Sequence, residues 1–192
     1  MRLQLAASSV VAIVAIVAVA AVGAFAQNPP AKIAVTSPTL RDGEPVPTAH
    51  TPDGRNDSPA LAWTNVPAGT RELAVICEDP DAGNPPPFVH WVVYGIPARA
   101  KGLPAALPID GSALPSEIAG AVQGLSGFRR AIYRGPAPPP GKAHHYHFVV
   151  YALDKVIETK ASEPPLTRAQ LLEAMKGHII GQGELVATYE RK

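Results

Sequence analysis

Short apolar runs separated by turn residues dominate the sequence, and this pattern predicts a chain built mainly of β-strands. The runs at 71–79 and 88–97 become wholly apolar in their centres, which is typical of strands buried on both faces. A third clear strand is predicted at 144–154, and a closing strand at 183–191. Shorter strands with prolines near their edges are predicted at three places nearer the N-terminus: 33–40, 43–50 and 60–67.

One segment near the C-terminus has the periodicity of a helix. In the stretch 165–180, apolar side chains recur on one face: Leu171, Leu172 and Met175. Thr167 is a typical N-cap, and Gly181 is expected to end the helix. The segment 100–131 shows no sustained period and predicts a long irregular connection. Together these elements predict a mainly β fold, a Greek-key-type β-sandwich with a C-terminal helix and strand.

The first 26 residues differ in kind from the rest of the chain. They run apolar to Ala24 and Ala26, which fits the A-x-A cleavage pattern of a secretory signal peptide. Cleavage after Ala26 would make Gln27 the new N-terminus of an exported protein, either periplasmic or secreted. The alternative is an uncleaved anchor in the cytoplasmic membrane, residues 5–26, because the run approaches the length of a membrane span.

Length, charge and cysteine content describe a single folded domain without a nucleic-acid surface. Residues 27–32 are expected to form a short tether, and residues 33–192 one domain. The formal net charge is only +1, whereas nucleic-acid binders usually carry a basic stripe. The basic cluster at 129–134 has no aromatic ladder beside it. Cys77 is the single cysteine, so no intramolecular disulfide can form, and its apolar surroundings in sequence predict a buried, inert thiol.

The strand predicted at 144–154 opens with a histidine-rich stretch, and strand alternation assigns its side chains to two faces. His144 and Tyr146 share the face that continues into apolar core residues. His145 and His147 share the opposite face, which we expect to be the wetter one. For each histidine the alternative is a solvated or hydrogen-bonded side chain without a functional role.

Two more polar residues lie at corresponding ends of neighbouring apolar runs. Asp79 ends the first run, and His90 opens the second. We expect both to point into one concave site together with the core-facing pair of the later strand. In this arrangement Asp79 orients an imidazole that donates to a ligand. The alternative is a plain turn at Pro80, in which Asp79 and Asp81 only cap the loop and His90 is solvated.

Two catalytic or metal-binding interpretations find little support in the spacing of these residues. A metal site could use His145 and His147 together with His90 and Asp79, but their spacing matches no zinc signature. A hydrolase could use Ser126 in the stretch "GLSGF", but the glycine of a nucleophile elbow is missing two places after the serine.

An anion pocket fits the same residues better. Imidazoles and a tyrosine hydroxyl can donate to a phosphate or carboxylate, and the proline-rich loop 133–141 forms a rigid wall, although its prolines lack the N–H groups of a phosphate loop. Such a pocket needs no catalytic residue, metal ion or cofactor. If His90 and His144 bind as imidazolium, anion affinity falls as pH rises. Because Asp79 and the anion raise the pKa of both rings, the fall is expected above about 6.5.

Several motifs in matching order resemble the phosphatidylethanolamine-binding protein family, which includes the Raf kinase inhibitor proteins. The segment Asp79-Pro80-Asp81-Ala82 resembles the family's D-P-D-A-P, although Gly83 stands in place of its last proline. Other stretches similar to family motifs are "FVHW" at 88–91, "YRGPAPPPG" at 133–141, "HHY" at 144–146, "YALD" at 151–154 and "SPALAWTNVPAGT" at 58–70. The resemblance extends from about Ile33 to the C-terminus and favours the bacterial branch.

The resemblance implies a β-sandwich with a small anion pocket. By motif, the pocket residues are Asp79, His90, His144 and Tyr146, the rim residues are Ala137 and Pro138, and the aromatic residue beside the first histidine is Phe88. His145 replaces the arginine of the family's H-R-Y, and the segment 124–134 gains arginines, so the rim is expected to be more positive than is usual in the family.

The function that the resemblance implies is binding without turnover. The expected ligand is a small anion, of phosphate type or a phospholipid headgroup, held by an exported protein. The alternative is a protein regulator, similar to a protease or kinase inhibitor, that uses the pocket for docking or sensing and therefore has a protein partner. A hydrolase is a weaker third alternative. No nucleic-acid partner is expected. Contact with the membrane is expected only through the N-terminal segment, if that segment stays uncleaved.

Overall fold

The computed structural model describes residues 29–82, 87–160 and 162–192. The predicted signal peptide, residues 1–26, and the cleavage site before Gln27 lie outside these ranges. Of the predicted tether, Ala31 and Lys32 form a short strand. None of the helices in the described ranges has the length and apolar character needed to cross a membrane.

Nine strands and one α-helix make up the regular structure of the described residues. In chain order they are β1 (Ala31–Lys32), β2 (Ala34–Thr36), β3 (Leu61–Thr64), β4 (Glu72–Asp79), β5 (Phe88–Pro97), β6 (Gly102–Leu103), β7 (Val122–Gln123), β8 (His144–Leu153), α1 (Arg168–Met175) and β9 (Ile179–Tyr189). Short 3-10 helices occur at Thr48–His50, Pro80–Ala82 and Ser116–Ile118.

The strands form two sheets. The larger sheet has six strands in the order β1-β9-β8-β4-β5-β7, and all of its neighbours are antiparallel except the β1–β9 pair. The smaller sheet has three strands in the order β2-β3-β6. This arrangement confirms the predicted mainly β fold with a helix and a strand at its C-terminal end, whereas the Greek-key connectivity stays a prediction.

The central strands of the large sheet are buried on both faces, which explains their apolar centres. Val75 and Trp91 face the core shared with the small sheet, where they join the cluster that contains Trp63. Alternate residues of the same strands, such as Ile76, belong to a second cluster on the opposite face, where α1 contributes Leu171. Both faces therefore exclude water, and alternation between polar and apolar residues is lost, as expected for covered strands.

The predicted strand at 43–50 is wrong. This segment contains one isolated bridge, between Pro45 and Thr188, and then the 3-10 helix Thr48–His50. Pro45 and Pro47 have no N–H groups to donate to a strand ladder. The connection 100–131 is mostly irregular, as predicted, but it also contributes the short edge strands β6 and β7.

The predicted helix is present but shorter than expected. Thr167 caps it in a capping box, because its hydroxyl accepts from the backbone of Gln170 while the Gln170 side chain accepts from the backbone of Thr167. The helix ends at Met175, and Gly177 follows with a φ of 78°, a left-handed conformation that favours glycine. Gly181 therefore does not end the helix but lies inside β9.

Candidate functional site

A cavity of about 540 Å³ opens at one end of the central strands. The seven residues that the sequence assigned to an anion pocket all line it: Asp79, Phe88, His90, Ala137, Pro138, His144 and Tyr146. The strand pairing brings them together, since Asp79 at the end of β4 pairs with Phe88 at the start of β5, and the preceding residue of β4 pairs with His147, the fourth residue of β8. Three strand ends therefore meet at one edge of the sheet.

Asp79 is buried and holds partners with both carboxylate oxygens. Its Oδ2 accepts a hydrogen bond from Nδ1 of His144 at 2.8 Å. Its Oδ1 accepts from the backbone N–H of Asp81 at 2.8 Å. Burial, and after it the negative charge of Asp79, raise the pKa of Tyr146, so this tyrosine stays a neutral hydroxyl. The carboxylate thus orients an imidazole, as expected, and also caps the turn at Pro80.

His90 is held in a different way from His144. Its Nδ1 lies 2.7 Å from the backbone oxygen of Arg134, which can only accept, so Nδ1 carries the proton. Burial lowers the pKa of His90 below its ordinary value, against the smaller opposing effects of this hydrogen bond and of Asp79. Asp79 alone therefore does not raise the pKa of His90, because desolvation outweighs the carboxylate. The higher pKa of His90 expected with an anion bound stays a prediction.

Aromatic rings enclose His90 on several sides. The ring centroids of Phe88, Tyr146 and Phe128 lie 5.3, 5.2 and 5.9 Å from that of His90, each in an edge-to-face arrangement. Because Nδ1 is already used in both histidines, Nε2 is the nitrogen left to meet a ligand in His90 and in His144.

The loop 133–141 is fixed by its backbone. The hydroxyl of Tyr133 donates to the backbone oxygen of His50 at 2.8 Å, and the N–H of Gly135 donates to the side chain of Asn56 at 2.9 Å. A Cβ atom at Gly135 would lie 1.9 Å from the oxygen of His50, so only glycine fits. These anchors hold Arg134, the residue between them, at the position where its carbonyl orients His90.

Seven further residues line the cavity that the sequence analysis did not assign to it: Pro52, Asp81, Ala82, Phe128, Arg134, Pro139 and Arg191. The guanidinium of Arg134 stacks 4.7 Å above the ring of Phe128. Arg191 reaches the cavity from the C-terminal end of the chain, and its Nε donates to Asp53 at 2.9 Å. The arginine cluster at 129–134 in the sequence indicated a positive rim and could have identified Arg134 as a pocket residue. The sequence contains no sign that Arg191 approaches the pocket.

The outward-facing histidines take part in separate, exposed contacts with carboxylates. Nδ1 of His145 lies 2.7 Å from Asp81, whose same oxygen also accepts from the backbone N–H of His145. Nδ1 of His147 lies 3.2 Å from Glu184. Neither histidine lines the cavity. Within the described ranges, no group of three or more histidine, cysteine, aspartate and glutamate side chains is placed to hold a metal ion.

The candidate nucleophiles lie elsewhere. Ser126 is buried, and its hydroxyl donates to the backbone oxygen of Arg130 at 3.0 Å. Cys77 is buried in the core, and burial, together with the nearby carboxylates of Glu78 and Asp79, raises the pKa of its thiol well above the ordinary value. Neither side chain lines the cavity.

The fold and the site define a mainly β protein with a ligand pocket of buried histidine, tyrosine and aspartate at the ends of its central strands. A family model described as phosphatidylethanolamine-binding protein matches residues 36–190. The chain belongs to this family.

Relatives with matching length come from archaea and bacteria. A UPF0098 protein of Methanothermobacter thermautotrophicus is 42% identical over 146 residues, which cover 76% of this chain and 91% of the relative. Another UPF0098 protein, from Aquifex aeolicus, is 37% identical over 164 residues, covering 84% and 90%.

Solved structures of similar proteins share the fold. Escherichia coli YbcL, described as a member of the mammalian PEBP family, is 37% identical with a TM-score of 0.75, and the match covers 84% of this chain and all of that one (100%). CT736 of Chlamydia trachomatis, described as a putative PEBP homologue, is 35% identical with a TM-score of 0.71, covering 84% and 99%.

Proposed function

We propose that the cavity binds a small molecule through a phosphoryl or similar anionic headgroup and releases it unchanged. The observation that carries this proposal is the convergence of His90, His144, Tyr146 and Arg134 on one cavity. All four can donate hydrogen bonds to an anion, and burial of the two histidines and the tyrosine makes such bonds stronger than they would be in water.

His90 would contribute through proton uptake. Burial lowers the pKa of His90 and so favours its neutral form, in which Nε2 carries a lone pair that repels an anion. A bound anion favours the imidazolium, whose Nε2–H donates to it. At His144 the carboxylate of Asp79 accepts from Nδ1 and so fixes the orientation of the ring. Binding of an anion is therefore expected to take up a proton from solution.

Binding without turnover is supported by the placement of the reactive side chains. The Ser126 hydroxyl and the Cys77 thiol are engaged or buried away from the cavity. We expect phosphorus NMR to show no release of inorganic phosphate when phosphoethanolamine is incubated with the protein. Release that depends on His144 would instead make the protein a hydrolase.

Calorimetry with defined headgroups tests the binding itself. Phosphoethanolamine is expected to bind, and ethanolamine, which has the same amine but no phosphate, is expected not to bind. Native mass spectrometry of freshly purified protein should also detect a small anion that the acid-treated protein lacks. Equal binding of both molecules, or of neither, would contradict the proposal.

We also propose that the protein is exported by its first 26 residues. The support is the apolar run ending in Ala24 and Ala26. N-terminal sequencing of the periplasmic or secreted form is expected to begin at Gln27. A membrane-bound product that retains Met1 would favour the uncleaved anchor.

A further inference from the structure

The charged side chains that line the cavity are almost all paired. Asp79 is paired with His144, and Asp81 lies within hydrogen-bonding distance of His145 outside the cavity. Arg191 is held by Asp53. Arg134 differs from them, because it takes part in none of the ion pairs found within the described ranges. It therefore presents a permanent positive charge to the cavity without a carboxylate to neutralise it.

Arg134 is also held at a defined distance from the histidine beside it. Its backbone exchanges two hydrogen bonds with His90: its N–H donates to the His90 oxygen at 3.2 Å, and its oxygen accepts from Nδ1 at 2.7 Å. The guanidinium rests on Phe128, whose ring packs edge-to-face against Phe88, 4.9 Å between centroids. The stacked ring restricts the guanidinium, so less entropy is lost when it binds an anion.

The charge of Arg134 reaches the histidine. It contributes, after burial, to the lowered pKa of His90. A ligand placed between the two side chains would meet His90 on one side and a guanidinium on the other. A phosphate monoester offers three terminal oxygens and carries nearly two negative charges at pH 7.5, since its second pKa is about 6. A phosphodiester offers two terminal oxygens and one charge.

We propose that Arg134 makes this pocket select phosphate monoesters over phosphodiesters. The inference rests on the proposed anion-binding function and specifies its ligand class. The histidines and Tyr146 can bind two of the terminal phosphate oxygens. A monoester has a third terminal oxygen and a second negative charge, which the guanidinium of Arg134 can bind. A phospholipid headgroup within a bilayer is a diester, so the preferred ligand is a soluble phosphomonoester.

The test compares two ligands with the same amine. Calorimetry at pH 7.5 and low ionic strength measures phosphoethanolamine, a monoester, and glycerophosphoethanolamine, a diester. The wild-type protein is expected to bind the monoester about tenfold to hundredfold more tightly, the range for a charge-assisted hydrogen bond. Arg134→Gln is expected to bring the ratio of the two affinities close to one, because it weakens binding of the monoester. Arg130→Gln is the matched control, since Arg130 is exposed, lies in the same arginine cluster and does not line the cavity.

The outcomes separate the two proposals. If Arg134→Gln weakens both ligands by the same factor, or if the wild-type protein binds both equally, the selectivity proposal is wrong and the anion pocket stands. If Arg130→Gln removes the ratio as fully as Arg134→Gln, the effect comes from general surface charge and the proposal is also wrong. If the wild-type protein binds neither ligand, the proposed function itself fails. Thermal melting confirms that each variant is folded.

Discussion

Two neighbouring histidines of β8 each pair with an aspartate from the end of β4 or the turn after it, and the two pairs differ in burial rather than in distance. His144 lies 2.8 Å from Asp79, and His145 lies 2.7 Å from Asp81. The side chains of the first pair are 10% and 4% exposed, whereas those of the second are 55% and 26% exposed. The same two residue types, at nearly the same distance, thus form an internal pair and a surface pair.

The difference shows how the alternation of side chains along a strand places neighbouring residues of the same type in different environments. Strand periodicity turns the neighbouring histidines to opposite faces, so that His144 lines the cavity with Asp79 while His145 contacts Asp81 from outside it. The inner pair is removed from water, so loss of one partner leaves the other without compensation. The outer pair is surrounded by solvent, where ion pairs contribute little.

The largest effect is expected from the inner carboxylate. Asp79→Asn keeps the shape but removes the charge behind His144, so affinity for phosphoethanolamine should fall by about 1–3 kcal/mol, the scale of a lost charge-assisted hydrogen bond. Titration calorimetry measures the change, and circular dichroism should show a retained fold. Glu184→Gln is the control, since Glu184 holds the outward-facing His147. A similar loss in the control would remove the distinction between the two faces.

A smaller effect is expected from pH, and it should depend on His90. Below the lowered pKa that burial gives His90 before an anion binds, the ring is already charged and affinity is at its maximum. This pKa is below about 6.5. At higher pH, the binding of each anion is accompanied by the uptake of one proton by His90. Affinity should therefore fall by at most about tenfold for each pH unit. The fall ends above the pKa of the complex.

The ligand for this titration is glycerophosphoethanolamine, because a diester keeps one charge throughout the range. Calorimetry in two buffers of different ionisation heat should show the proton uptake directly. His90→Gln should flatten the profile, while His145→Gln, on the outer face, should leave it unchanged. A flat profile in the wild-type protein would mean that the imidazoles do not bind as cations.

The smallest effect is expected from the outer pair. A double-mutant cycle between Asp81 and His145 should give a coupling free energy of unfolding below about 1 kcal/mol. Hydrogen bonds from His145 hold the pKa of Asp81 below its ordinary value. The contribution is therefore present above about pH 3.9 and lost as pH falls through the lower folded-state pKa. Urea denaturation at pH 7 and pH 3 measures it. A coupling of several kcal/mol would mean that burial does not separate the two pairs.

The sequence was sufficient to predict elements whose pattern is local. The strand at 88–97 was predicted with its observed bounds, because a run covered on both faces is apolar throughout its centre. The predictions of a strand at 43–50 and of a longer helix were wrong at prolines and glycines, because there the backbone chemistry outweighs the apolar pattern. Pro45 has no backbone N–H to donate to a strand ladder, and Gly177, in a left-handed conformation, follows the end of α1 one turn before Gly181.

The site was predictable as a set of residues but not as a set of contacts. Strand ends and alternation suffice to gather Asp79, His90 and His144. The choice of His144 as the partner of Asp79, rather than His90, depends on the pairing of β4 with β8, which no local pattern encodes. The approach of Arg191 depends on Asp53, a residue far away in the chain.

The anchoring of the loop 133–141 has an evolutionary consequence. Tyr133 and Gly135 secure the backbone through His50 and Asn56, while the Arg134 side chain between them is exposed and contributes to none of these anchors. A substitution at this position can change the charge at the pocket entrance while the loop and the His90 tautomer stay in place. Families that diversify by gene duplication need such positions, at which a single codon change alters ligand choice at little cost to folding.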